Sequence, residues 1–108
     1  MGTIFQFPYR TVAEVSIRAI IKNLVTLRSV SQREIVPVVK ADAYGHGLIP
    51  VAQAAVDSGV DWLGTALLEE AITLRKNGFK LPIIAWLTPC GEDFESAINL
   101  NIDLKCWF

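Results

Sequence analysis

Ile35-Val36-Pro37-Val38-Val39-Lys40-Ala41-Asp42-Ala43-Tyr44-Gly45-His46-Gly47 is the stretch on which the reading of this 108-residue chain turns. Its first five residues are apolar and mostly β-branched, with no polar alternation. Such a run reads as a strand buried on both faces of a parallel sheet. It stops at Lys40, and residues 41–47, with two glycines, read as a loop at the carboxyl end of that strand.

Working outward, the chain alternates. Residues 15–29 place Ile17, Ile20, Ile21, Leu24 and Leu27 on one helical face, with Ser16 as a cap. After the loop, residues 49–58 read as a helix with Pro50 in its first turn and Gly59 as its stop. Residues 61–66 read as a strand. Residues 68–77 read as a helix, with Glu69 and Glu70 near its start and Arg75 and Lys76 near its end, as the helix dipole favours. A strand at 82–87, a helix at 92–100 and a strand from 102 complete the pattern. Strand and helix repeating in this way imply a parallel α/β sheet of about four strands. A closed (β/α)₈ barrel takes about 250 residues, so there is room here for the first half. Trp107 and Phe108, bulky and apolar at the end, make the chain read as cut short, since natural ends are usually polar.

Composition sets the outer limits. Hydrophobic residues make up 52% and charged residues 19%, enough for a buried core and too apolar for disorder. The formal net charge of -1 gives no electrostatic reason to expect nucleic acid or an anionic membrane as partner. No apolar run reaches the roughly 18 residues of a spanning helix, and the amino terminus does not read as a signal peptide. Cys90 and Cys106 form no C-x-x-C pair and have no histidine at metal-ligand spacing, so no metal site is expected and the thiols read as reduced, in a cytoplasmic protein.

The chemistry concentrates after the first strand. Lys40 sits where active sites lie in α/β barrels, and its apolar approach strips hydration, which favours the neutral amine that adds to aldehydes. A solvated lysine just past a strand end is the plainer alternative. The Tyr44 hydroxyl can donate to a phosphate oxygen, or the ring can pack on the rim. Gly45 and Gly47 allow a ligand to approach closely, or simply make a turn. His46 reads as a hydrogen-bonding spacer. Gly45-His46-Gly47 lacks the third glycine of a dinucleotide fingerprint, and no phosphate loop, nucleophile elbow or H-E-x-x-H is present. Glu69 and Glu70, adjacent on a helix, do not face each other, so a glycosidase pair is a weak reading.

Pro37-Val38-Val39-Lys40-Ala41-Asp42-Ala43-Tyr44-Gly45-His46-Gly47 resembles the hallmark of alanine racemases, with Asp42 where Asn is commoner. Ala13-Glu14-Val15 with Ile17, Ala19, Ile20 and Asn23-Leu24 resembles the family's opening strand and helix. Glu69-Glu70-Ala71 and Leu74-Arg75 resemble its third helix, and Pro82-Ile83 with Trp86 its third strand. Lys105 to the end does not resemble the family's continuation. The resemblance implies a TIM-type (β/α) barrel binding pyridoxal 5'-phosphate (PLP), with Lys40 joined to the cofactor and serving as one of two catalytic bases. It implies that Tyr44 contacts the cofactor phosphate and that Trp86 lines the cofactor pocket. It further implies a cytoplasmic homodimer that interconverts L- and D-alanine for peptidoglycan. The second base, a tyrosine of the partner's carboxyl-terminal β domain, lies outside these residues, as does the second half of the barrel. The 108 residues are therefore expected to be inactive alone. Two other readings stay open: another barrel-type PLP amino-acid racemase, and a non-catalytic PLP-binding remnant.

Overall fold

Ser16 opens the first helix. Its hydroxyl accepts from the Ala19 N–H at 3.2 Å and satisfies one of the donors a helix start leaves free. The computed structural model describes residues 10–106. In order these form α1 (Ile17–Ser31), α2 (Lys40–Tyr44), α3 (Leu48–Asp57), β1 (Leu63–Thr65), α4 (Leu68–Lys76), β2 (Ile83–Thr88), α5 (Phe94–Asn99) and β3 (Ile102–Cys106). The sheet is parallel, ordered β1-β2-β3, with Leu63 opposite Ile83 and Ile83 opposite Ile102. The alternating pattern of the sequence thus produces three strands with intervening helices.

The fourth expected strand, at 35–39, is reduced to one parallel bridge between Val38 and Gly64. The Gly64 N–H donates to Pro37 O and the Val39 N–H to Gly64 O, each at 2.9 Å. Pro37 has no N–H to extend the ladder. Nor is this segment buried on both faces. Val39 is 1% exposed, whereas Val38 is 48% exposed. Only the Val39 side meets the helices; the other side looks toward the barrel interior, which no described element covers.

The same division runs along the sheet. Leu63, Ile83, Ala85 and Ile102 are buried under the helices, with Ala52, Ala55, Ala71, Leu74 and Ala97 facing them. Alanine at so many helix positions lets backbone approach backbone, so the layer is thin and close-packed. Helix α1 lies outside this core and packs against α3, with none of its residues fully buried. Leu27, expected on its apolar face, is exposed. The Arg28 guanidinium ties α1 to the rest, donating to Gly59 O and lying 3.8 Å from Asp61.

Arg75, which the sequence suggested only as a complement to the helix dipole, closes the amino ends of the strands. Its Nε donates to Leu100 O at 2.8 Å and its Nη2 to Asn101 O at 3.0 Å. Its Nη1 donates to Phe79 O at 2.8 Å and Leu81 O at 2.7 Å. Burial lowers its pKa from the usual arginine value, while Asp103 acts in the opposite direction.

On the interior face, a methyl group built at Gly64 would fall within the Trp86 ring and 3.3 Å from Val36 Cγ1. Gly64→Ala should therefore force the indole to move and cost about 1–3 kcal/mol by overpacking, read as a lowered denaturation midpoint. Adding Trp86→Ala should recover part of that loss in a double-mutant cycle. Asp93 caps α5 by accepting from the Ser96 N–H at 3.0 Å, and bonds from the Ser96 hydroxyl and N–H depress its pKa. Its contribution is present above about pH 4, the unfolded carboxylate range, and is lost as pH falls through the lower folded value. Asp93→Asn should flatten that part of the acid stability profile.

Candidate active site

The apolar run at 35–39 ends where Val39, buried, hands over to Lys40, half-buried. Alternation puts Val36 and Val38 on one side, the interior face, and the extended backbone ends at Val39, so that Lys40 opens the next element. Residues 41–47 do not form the expected open loop. The chain winds through one turn, α2, in which Ala41, Asp42, Ala43 and Tyr44 all have φ between 51° and 55°. This is left-handed helix, disfavoured by about 1–2 kcal/mol per residue for L-amino acids. Four such residues in succession concentrate strain directly after the candidate lysine.

What holds the turn is a set of hydrogen bonds. Ala43 N–H donates to Val39 O at 3.0 Å, and Gly45 and Gly47 N–H donate to Asp42 O at 3.0 and 2.9 Å. Gly45 and Gly47 have φ of 85° and 99°, which glycine adopts without a Cβ clash. His46 Nδ1 lies 2.9 Å from Ala43 O, in keeping with a spacer that braces the turn. Asp42 Oδ1 accepts from the Leu48 N–H at 2.7 Å, closing the start of α3 with a carboxylate that the helix dipole favours. Glu70 Oε2 accepts from the Ala41 N–H at 2.7 Å.

The turn brings two expected site residues together. Lys40 Nζ stands 5.7 Å from the centroid of the Tyr44 ring, within cation–π range, and Tyr44 is 72% exposed. Trp86 is not brought to them: its indole rests over Gly64 and near Val36, toward the middle of the strands. Two surface clefts, one lined by Gln53, Val56 and 77–81 and the other by Arg28, Gln32, Arg33, Glu34 and Asp61, include neither Lys40 nor Tyr44. Among the described residues no group of His, Cys, Asp and Glu is arranged to hold a metal. Cys90 and Cys106 are free thiols.

The donor set suits PLP: a primary amine for its aldehyde and a phenol for its phosphate. Sequence reasoning missed the roles of Asp42 and Glu70. Asp42 was legible in principle as an acidic residue just before a helix; Glu70 was legible as an acid three positions into one.

Asp42→Ala should cost about 1–2 kcal/mol, through loss of the α3 cap and of a residue that tolerates left-handed backbone. Asp42→Asn, which keeps both properties, should unfold within about 0.5 kcal/mol of the parent, since an Asn cap is as good as Asp. Urea denaturation of the two variants checks this.

Comparison with known proteins places the geometry in a lineage. Residues 15–105 match the family described as "Alanine racemase, N-terminal domain". The alanine racemase of Salinispora tropica is 47% identical over 90 residues, covering 83% of this chain and 24% of its own. The crystal structure of alanine racemase from D-cycloserine-producing Streptomyces lavendulae superposes with a TM-score of 0.85 at 41% identity, over 92% of this chain and 26% of that one. The histidine racemase of Leuconostoc mesenteroides subsp. sake superposes with a TM-score of 0.74 at 32% identity, over 83% of this chain and 24% of that one. The chain thus spans about a quarter of the length of the relatives it matches. With a bridge and three parallel strands of a TIM-type barrel, and with Lys40 at their carboxyl end, it belongs to the alanine racemase family as part of the N-terminal domain.

Proposed function

We propose that this chain supplies the cofactor-bearing lysine of a PLP-dependent racemase that interconverts L- and D-alanine. The observation that supports the reading is the position of Lys40 at the carboxyl end of the bridge segment, followed at once by a left-handed turn that brings Tyr44 beside it. PLP, when bound, supplies an electron sink that lowers the cost of removing the substrate α-proton. Lys40 Nζ would hold the cofactor, and as a free amine it would take or return the substrate α-proton on one face. The Tyr44 hydroxyl donates to a phosphate oxygen and orients the cofactor against that amine. The amides of Gly45 and Gly47 are already committed to Asp42 O, so the glycines shape the turn. Trp86, half-buried, walls the lower side of the pocket.

Inversion needs a base on each face, and Lys40 is one. The second belongs to the whole protein, which in this reading works as a cytoplasmic homodimer and supplies D-alanine for peptidoglycan. The 108 residues alone, with one base of the two, should not racemise alanine. A second substrate reading has support in the histidine racemase, which shares this portion of fold.

Mixing the protein with PLP, reducing with borohydride and mapping peptides by mass spectrometry tests the proposal. A pyridoxyl group should appear on Lys40 and vanish in Lys40→Ala. Scattered labelling, unchanged in the variant, would sink the cofactor assignment. Tyr44→Phe should retain PLP about tenfold less well, the loss of one hydrogen bond to a charged group worth about 1.5 kcal/mol.

A further inference from the structure

Glu70 is the third residue of α4, and its two carboxylate oxygens have separate tasks. Oε1 accepts from the Leu67 N–H at 2.8 Å and the Ala66 N–H at 3.2 Å. That is half of a capping box, and it closes the start of α4 where the chain leaves β1. Oε2 reaches instead to the Ala41 N–H, 29 residues away in sequence, at 2.7 Å. A helix cap has no need of this second bond, and Ala41 is exposed enough for water to take its place.

The second bond acts on Lys40. On its amino side, Lys40 follows Val39, whose N–H is fixed to Gly64 O at 2.9 Å. On its carboxyl side, it precedes Ala41, whose N–H is fixed to Glu70. The chain is therefore held on either side of the lysine, by β1 at the Val39 N–H and by the first turn of α4 at the Ala41 N–H. Ala41 is also the first residue of the turn with a positive φ, so its amide is where the disfavoured winding begins. We propose that Glu70 is a positioning residue for Lys40, setting the peptide after the lysine and so the direction in which its amine leaves the sheet. The proposal builds on the PLP-lysine reading, and it adds a residue that acts through backbone alone.

Glu70→Gln separates the two tasks. The single amide oxygen can keep the Ala66 and Leu67 bonds, while the NH₂ group meets the Ala41 N–H as donor against donor. In Glu70→Gln, amide hydrogen exchange should lose protection at Ala41 and keep it at Ala43, whose partner is Val39 O. The rate at which PLP is trapped on Lys40 by borohydride should fall about tenfold or more, as expected for a misplaced reacting group. Glu70→Asp should restore part of both, and Glu70→Ala should additionally lower thermal stability through loss of the cap. Unchanged Ala41 protection in Glu70→Gln, or Lys40 trapping at the parent rate despite lost protection, overturns the positioning role. If the parent chain does not label Lys40 at all, the cofactor reading fails instead, and the exchange at Ala41 still decides whether the anchor exists.

Discussion

Everything at the carboxyl end of the sheet depends on how Gly64 pairs with the segment before Lys40. Two hydrogen bonds, Gly64 N–H to Pro37 O and Val39 N–H to Gly64 O, set the register. A slip of one residue would exchange the faces, turning Val38 into the helical layer and Val39 into the open interior. The pairing also requires that Gly64 stay bare, because the Trp86 ring and Val36 already occupy the space a side chain would take. Register, interior packing and the position of the candidate lysine thus share one constraint.

Much of this was legible in the sequence because it follows from period. The short segments at 61–66, 82–87 and 102–106, alternating with helical patterns, read as strands, and the helices between them were placed to within two residues. The bridge segment was half legible. Its apolar character was plain, but the choice between burial on one face and on two depends on what lies across the barrel interior. Lys40 could be placed at a strand end from the run that precedes it. The left-handed turn could not be read, since Ala41, Asp42 and Ala43 have ordinary right-handed propensities and only Asp42 hints at positive φ. Tertiary hydrogen bonds, from Glu70 above all, override local preference there. Tyr44 lies beside Lys40 because of that reversal in hand.

Strain of this kind persists only where the surroundings fix it from several directions. Here the carbonyl of Asp42 receives two amides, its side chain caps α3, and Glu70 takes the amide at the start of the turn. Each bond is modest; together they leave the segment one arrangement. In the proposed reading, a lysine that would both hold a cofactor and move a proton gains from a backbone held in one arrangement.

Helix α4 joins the two ends of the sheet by opposite chemistry. Near its amino terminus Glu70 collects three backbone N–H groups at the carboxyl ends of the strands. Near its carboxyl terminus Arg75 collects four backbone carbonyls at the amino ends. Each charge has the sign that the adjacent helix end favours, so dipole and hydrogen bonds act together. The two residues nonetheless serve different purposes. In barrels of this type the amino-end loops hold the fold and the carboxyl-end loops carry the chemistry. Arg75 gathers turns that bear no reactive group, whereas one of the three amides held by Glu70 is the amide next to Lys40. The same helix therefore stabilises the sheet at one end and aims the candidate catalytic amine at the other, and the distinction lies in which peptide each charge holds.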